Sequence, residues 1–227
     1  MIFKKWPFIT VLAATITIFA AGVSTEPSKP TIIIIQGCSS SGKSSTAQEL
    51  QNLYANDNKP FVYLPMDNFL SFLPKKWLNF NPHDSQFNET ADDGIRFISV
   101  QDENSVQSLI KLTIGQTALN AFNGIVKCIS GLAKCNNNVI FEGAFPSVLF
   151  KNIEQLKCKY AVIIINVTCD LKIMEKREIQ RNGMIGLARS LSENPEFQYD
   201  NYDFVVDTSD ITPAEAAQQI KAFIEVQ

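Results

Sequence analysis

Residues 31–45 read Thr-Ile-Ile-Ile-Ile-Gln-Gly-Cys-Ser-Ser-Ser-Gly-Lys-Ser-Ser, an apolar run that breaks into a glycine-bounded loop. The loop carries the spacing G-x-x-x-x-G-K-[ST], and its flanks supply the strand and helix that this spacing needs. Four consecutive isoleucines, Ile32 to Ile35, suit a strand buried on both faces of a parallel sheet. Gly37 and Gly42 let the backbone curl so that amide N–H groups turn inward on a polyphosphate. Residues 43–54 read as a helix whose positive N-terminal end faces the same anion. Gly37, Cys38, Ser39, Ser40, Ser41, Gly42, Lys43, Ser44 and Ser45 are therefore the expected cradle for the phosphates of ATP. Lys43 would neutralise the β- and γ-phosphates, and the Ser44 hydroxyl would ligate Mg²⁺.

The sequence ahead of this loop differs in kind. Lys4 and Lys5 precede an uncharged stretch at 6–23 that ends in Ala20, Ala21 and Gly22 and gives way to polar, proline-containing sequence. A basic start, an apolar middle and small residues form a secretory signal pattern, and a retained membrane anchor is its close competitor. The expected division is a signal peptide or anchor at 1–25, a linker at 26–30 and one catalytic domain at 31–227. The positive flank directs that domain away from the cytoplasm, as an exported protein or on the far side of a membrane touched only through the N-terminal segment. With 45% hydrophobic residues and a net charge of −3, the chain can bury a real core and offers no electrostatic basis for a nucleic-acid partner. The five cysteines include no Cys-x-x-Cys pair and no metal-ligand spacing. Cys128 and Cys135 flank a glycine that reads as a turn.

Strand and helix patterns alternate beyond the loop. Residues 60–65, 139–141, 160–167 and 202–207 read as strands. Residues 170–182 form a charged helix, and Thr212-Pro213-x-Glu215 opens a last helix with a capping box. Residues 71–104 read as a long irregular insert, and 105–130 carry helical spacing through Val106, Leu109, Ile110, Ile114, Leu119, Phe122 and Val126. The implied fold is α/β, a doubly wound parallel sheet with helices on both faces.

Ligands of such sheets sit beyond the carboxyl ends of the strands, which gathers scattered residues into one site. Asp67 follows the second strand, where a carboxylate can take a proton from an attacking hydroxyl. Glu142 follows the third, placed to contact Mg²⁺. Asp170 reads as a helix cap. Arg177 and Arg181, at i and i+4, share a helical face and can bring positive charge onto a transferring phosphoryl group. Gly183 and Gly186 behind them suggest a lid.

Together, Gly37-Cys38-Ser39-Ser40-Ser41-Gly42-Lys43-Ser44, Asp67-x-Phe69, the arginine helix and Tyr202-Asp203-x-x-x-Asp207-Thr208-Ser209 resemble the chloramphenicol phosphotransferase-like proteins. The resemblance runs from residue 31 to the C-terminus. It implies a P-loop kinase with an adenylate-kinase-like core, Asp67 as the base that deprotonates a substrate hydroxyl, and Arg177 and Arg181 as lid arginines. The lid departs from the family pattern, because Arg181-Asn182-Gly183-Met184 lacks a final arginine and Arg189 is the available stand-in. A histidine common before the Tyr-Asp pair is also missing.

The insert that should cover the acceptor holds Asp84, Glu89, Asp92, Asp93, Asp102 and Glu103 against Lys75, Lys76 and Arg96. An anionic acceptor would want the opposite balance. The same stretch carries Phe69, Phe72, Trp77, Phe80, Phe87 and Phe97, half of them expected simply to pack the insert. The expected partner is a small-molecule hydroxyl compound, neutral or weakly charged and partly apolar. A toxin-type nucleotide-sugar kinase and an exported, non-catalytic nucleotide-binding protein remain as alternatives.

Overall fold

Ile32, Ile33, Ile34 and Ile35 are all fully buried, because β1 (Thr31–Gln36) is the middle strand of a five-stranded sheet of order β2-β6-β1-β7-β8. In this computed structural model, which describes residues 29–79, 93–101 and 108–227, every pairing within that sheet is parallel. The other strands are β2 (Phe61–Pro65), β6 (Asn138–Gly143), β7 (Ala161–Thr168) and β8 (Phe204–Asp207). The expected signal or anchor at 1–25 lies outside the described residues. So do Phe80, Asp84, Phe87, Glu89, Asp92, Asp102 and Glu103.

Strand periodicity divides the four isoleucines between two cores. Ile32 and Ile34 pack with Phe122, Ile125, Val126 and Ile129 of α3 (Gln116–Lys134). Ile33 and Ile35 pack with Ala47 and Leu50 of α1 (Lys43–Asn56) and with Ala216, Ala217 and Ile220 of α7 (Pro213–Glu225). Each such burial stabilises the fold by about 1.5–3 kcal/mol, so this run ties both helical layers to one strand. Thr212 and Glu215 form the expected capping box of α7. Asp170 caps α5 (Leu171–Gln180) by accepting from the Lys172 N–H.

Two readings of the middle of the chain are corrected. The insert at 71–104 is not wholly irregular: it contains β3 (Leu78–Asn79) and β4 (Ile95–Gln101). Of the expected helix at 105–130, residues 108–114 are instead β5 (Ser108–Ile114), and α3 starts only after Gly115. These strands form a second sheet of order β3-β4-β5, with β4 and β5 antiparallel. Ile110 and Leu112 are buried while Lys111 between them is exposed. That alternation of period two had been masked by isoleucines that also satisfy helical spacing.

Cys128 lies within α3 and Cys135 at its end, so helix, not a turn, separates them. Seven residues of helix place them about 10 Å apart, beyond disulfide reach; all five cysteines are free.

Candidate active site

The chain leaves β1 at Gln36 and reverses through the phosphate loop into α1. A Cβ on Gly37 would stand 2.6 Å from Ser41 Oγ and 2.7 Å from the Val167 carbonyl oxygen, so only glycine fits there. Gly42, the N-cap of α1, has φ of 91° and no side chain caps the helix. The N–H groups of the first turn are thus left for an anion. Ser40, Gly42, Lys43, Ser44 and Ser45 line a cavity of about 190 Å³ together with Arg177 and Arg181. Ser39 lines a neighbouring cavity. Gly37, Cys38 and Ser41 instead line a space behind the loop, beside β7, and burial pushes the Cys38 thiol above its ordinary pKa. These three shape the loop more than they face its contents.

Both arginines reach the loop in different ways, Arg177 from α5 and Arg181 from the residue that caps its C-terminal end, one residue beyond the helix. Arg177 donates to the carbonyls of Ser40 and Thr208 at 3.3 and 2.8 Å, and to Thr208 Oγ1 at 3.3 Å. Thr208 Oγ1 itself donates to the Ser41 carbonyl at 2.6 Å. Arg177 and Thr208 therefore clasp the loop to the segment after β8. The Arg181 guanidinium donates from Nη2 to Ser39 Oγ at 2.8 Å. Arg189 pairs with Glu175 at 2.6 Å and lines neither cavity, so it does not replace the missing lid arginine.

Register places Glu142 of β6 directly between Ile35 of β1 and Pro65 of β2. Its Oε1 accepts from the Tyr63 hydroxyl at 3.0 Å, whereas Oε2 is buried without a hydrogen-bond partner among the described residues. Burial pushes this carboxyl above the usual carboxylate range, offset in part by Lys43 and by the hydroxyls of Tyr63 and Ser44. An orphaned buried oxygen beside Ser44 is a donor set that fits Mg²⁺, a hard cation usually held by one or two protein oxygens and the phosphates of its nucleotide. Among the described residues no cluster of three or more His, Cys, Asp or Glu could hold a metal alone.

Asp67 stands in the first turn of α2 (Met66–Leu70), immediately after β2. It lines a larger cavity of about 630 Å³ whose walls also include Met66, Leu70, Ile95, Phe97, Leu112 and Phe122. Ile95, Phe97 and Leu112 come from the β4–β5 hairpin. Lys43 and Arg181 line both this cavity and the phosphate cavity, so the two spaces meet there. Of the other aromatics, Phe69 packs edge-on to Phe141, Phe72 is exposed, and Trp77 lies under the Lys76 ammonium.

Residues 30–225 match the chloramphenicol phosphotransferase-like protein family. The chain belongs to that family. No curated protein matches it in sequence. Among solved structures, Mycobacterium tuberculosis APS kinase in complex with AMPPNP and APS superposes with a TM-score of 0.59 at 15% identity, over 88% of this chain and 99% of that one. A gluconokinase from Sinorhizobium meliloti gives 0.53 at 14% identity over 88% and 94%. Shikimate kinase from Acinetobacter baumannii in complex with shikimate gives 0.53 at 12% identity over 88% and 95%. At these identities the likeness establishes the fold, that of a P-loop kinase, and the family assignment makes this member a kinase with a nucleotide-binding loop.

Sequence reasoning had missed Tyr63, Glu178, and Ile95, Leu112 and Ile114 of the cavity wall. Period-two alternation in 95–101 and 108–114 was the available signal for the wall. Glu178 carries no such signal: it sits in a charged run, and its burial with Met174 on one face of α5 is set by tertiary contacts.

Proposed function

We propose that this kinase transfers the γ-phosphate of Mg-ATP to a hydroxyl on a neutral or weakly charged, largely apolar acceptor. One observation carries the reading: a mainly apolar cavity meets the phosphate cavity at Lys43 and Arg181, and Asp67 is the carboxylate on its wall. The cations on that wall are these same two residues, both at the phosphate end. A multiply anionic acceptor would therefore find no partner at the far end among the described residues.

In this scheme the loop amides and Lys43 hold the triphosphate, and Asp67 takes the proton from the acceptor hydroxyl. As the acceptor oxygen bonds to the γ-phosphorus, the bond from that phosphorus to the bridging oxygen of ADP breaks. Arg181, with Arg177 behind it, supplies positive charge to the transferring group. Ser44 and Glu142 are the residues that would hold Mg²⁺, which when bound supplies charge neutralisation across the phosphates.

The experiment is phosphate transfer from labelled ATP to a panel of neutral alcohols, chloramphenicol among them, and of anionic acceptors. Asp67→Asn should lower transfer by about 10²- to 10⁴-fold while leaving ADP affinity unchanged by calorimetry. Unaltered transfer removes Asp67 as the base. Preference for a multiply anionic acceptor overturns the acceptor class, and tight ADP binding without turnover on any acceptor overturns the kinase reading.

A further inference from the structure

Glu178 is a fully buried carboxylate, which is rare unless the group is partnered, and it has no part in the scheme above. Its two oxygens are divided between two main-chain donors. Oε2 accepts from the Gly186 N–H at 3.1 Å and Oε1 from the Ala188 N–H at 2.7 Å. The same residue's carbonyl accepts from the Gly183 N–H at 2.8 Å. One residue thus grips both ends of the turn at 181–186. The turn reverses sharply, with φ of 50° at Asn182 and 89° at Gly186, left-handed positions that asparagine and glycine accommodate.

What the turn carries gives the grip its meaning. Arg181, Asn182, Gly183 and Met184 line the larger cavity, and Arg181 also faces the phosphate cavity. Arg181 donates to Ser39 Oγ, and both the Ser39 hydroxyl and the Arg181 guanidinium act on the Glu178 carboxylate. We infer that Glu178 is the positioning residue of the lid, latching the 181–186 turn, and Arg181 with it, against the phosphate loop. The latch keeps the Arg181 guanidinium aimed at the loop. A second strap between α5 and α6 (Leu187–Glu193), the part-exposed Arg189–Glu175 pair, joins residues on either side of the turn, so it serves as a control.

The test has two arms, because the catalytic consequence rests on the kinase reading and the latch does not. The first is amide hydrogen exchange in the full chain. Exchange at 183–188 should rise at least tenfold in Glu178→Gln, with β1, β6 and β7 unchanged, whereas Glu175→Gln should leave 183–188 as in wild type. Wild-type exchange in Glu178→Gln, or an equal rise in Glu175→Gln, overturns the latch. The second arm is steady-state ATP hydrolysis without added acceptor. Glu178→Gln should lower kcat tenfold or more while the KM for ATP stays within twofold, because the loop keeps its grip and only the arginine is displaced. A merely structural role would lower the melting temperature and leave kcat per folded molecule intact, and that result overturns positioning. If wild type hydrolyses no ATP without acceptor, kcat is read instead from transfer to an acceptor of the panel above; turnover on none of them means that the kinase reading fails, while the exchange arm still decides the latch. Should Glu178→Gln not fold, Glu178→Asp, whose carboxylate is drawn back by one methylene, must show the same exchange increase; wild-type exchange in it overturns the inference.

Discussion

Glu142 and Glu178 are both buried carboxylates, yet their partners divide their tasks. Glu178 has each oxygen filled by a main-chain N–H, so it holds structure; Glu142, beside Ser44, keeps one buried oxygen with no partner among the described residues, an arrangement that a bound cation would complete. The Glu178 carboxyl is pushed above its ordinary value of 4.5 by burial, against the pull of Ala188, Ser39, Gly186 and Arg181. The folded chain then binds this proton more tightly than the unfolded one. The stability contributed by this group accordingly falls as pH rises from the ordinary carboxylate range through the raised folded value, and is level above it. The difference in unfolding free energy between wild type and Glu178→Gln, from denaturant titrations between about pH 4 and 8, should decline with rising pH; a difference that grows contradicts the sign. At this scale the sequence was legible where chemistry is local. Lys43, Ser44 and Asp67 follow from loop spacing and from a strand end, but Glu178 lies in the run Glu175-Lys176-Arg177-Glu178, which looks like a solvated face until tertiary contacts choose one carboxylate for burial.

Between residue and domain, the elements differ in how openly the chain announces them. β1, α1, β7 and α7 were readable because each has a strong local signature: an unbroken apolar run, a glycine-bounded entry, a capping box. The β4–β5 hairpin was not, since its isoleucines fit either period and the pairing that selects a strand lies across intervening residues. Its misreading hid the wall of the larger cavity, which those strands help to build. The wall is testable by charge. Leu112→Asp puts an unpaired carboxylate among Ile95, Phe97 and Phe122, which should raise the KM for a neutral acceptor tenfold or more while ADP affinity stays as in wild type. An unchanged KM removes the hairpin from acceptor binding.

For the molecule as a whole, two cores share one sheet and the phosphate loop springs from the strand common to both. Nucleotide captured there should stabilise the entire domain. At one hundred times its dissociation constant, ADP adds about 2.7 kcal/mol to the native state, or roughly 5–10 °C in melting temperature for a chain of this size. Lys43→Met should shrink that shift to less than half in a thermal melt; a full shift in the variant means that the lysine contributes little to binding. The hairpin has a different bearing on the molecule's history. In chain order it enters between α2 and α3, apart from the segments that carry the loop and Glu142. On the proposed function, the grip on the polyphosphate and much of the choice of acceptor are written in separate stretches of sequence, and a lineage can redraft one while inheriting the other.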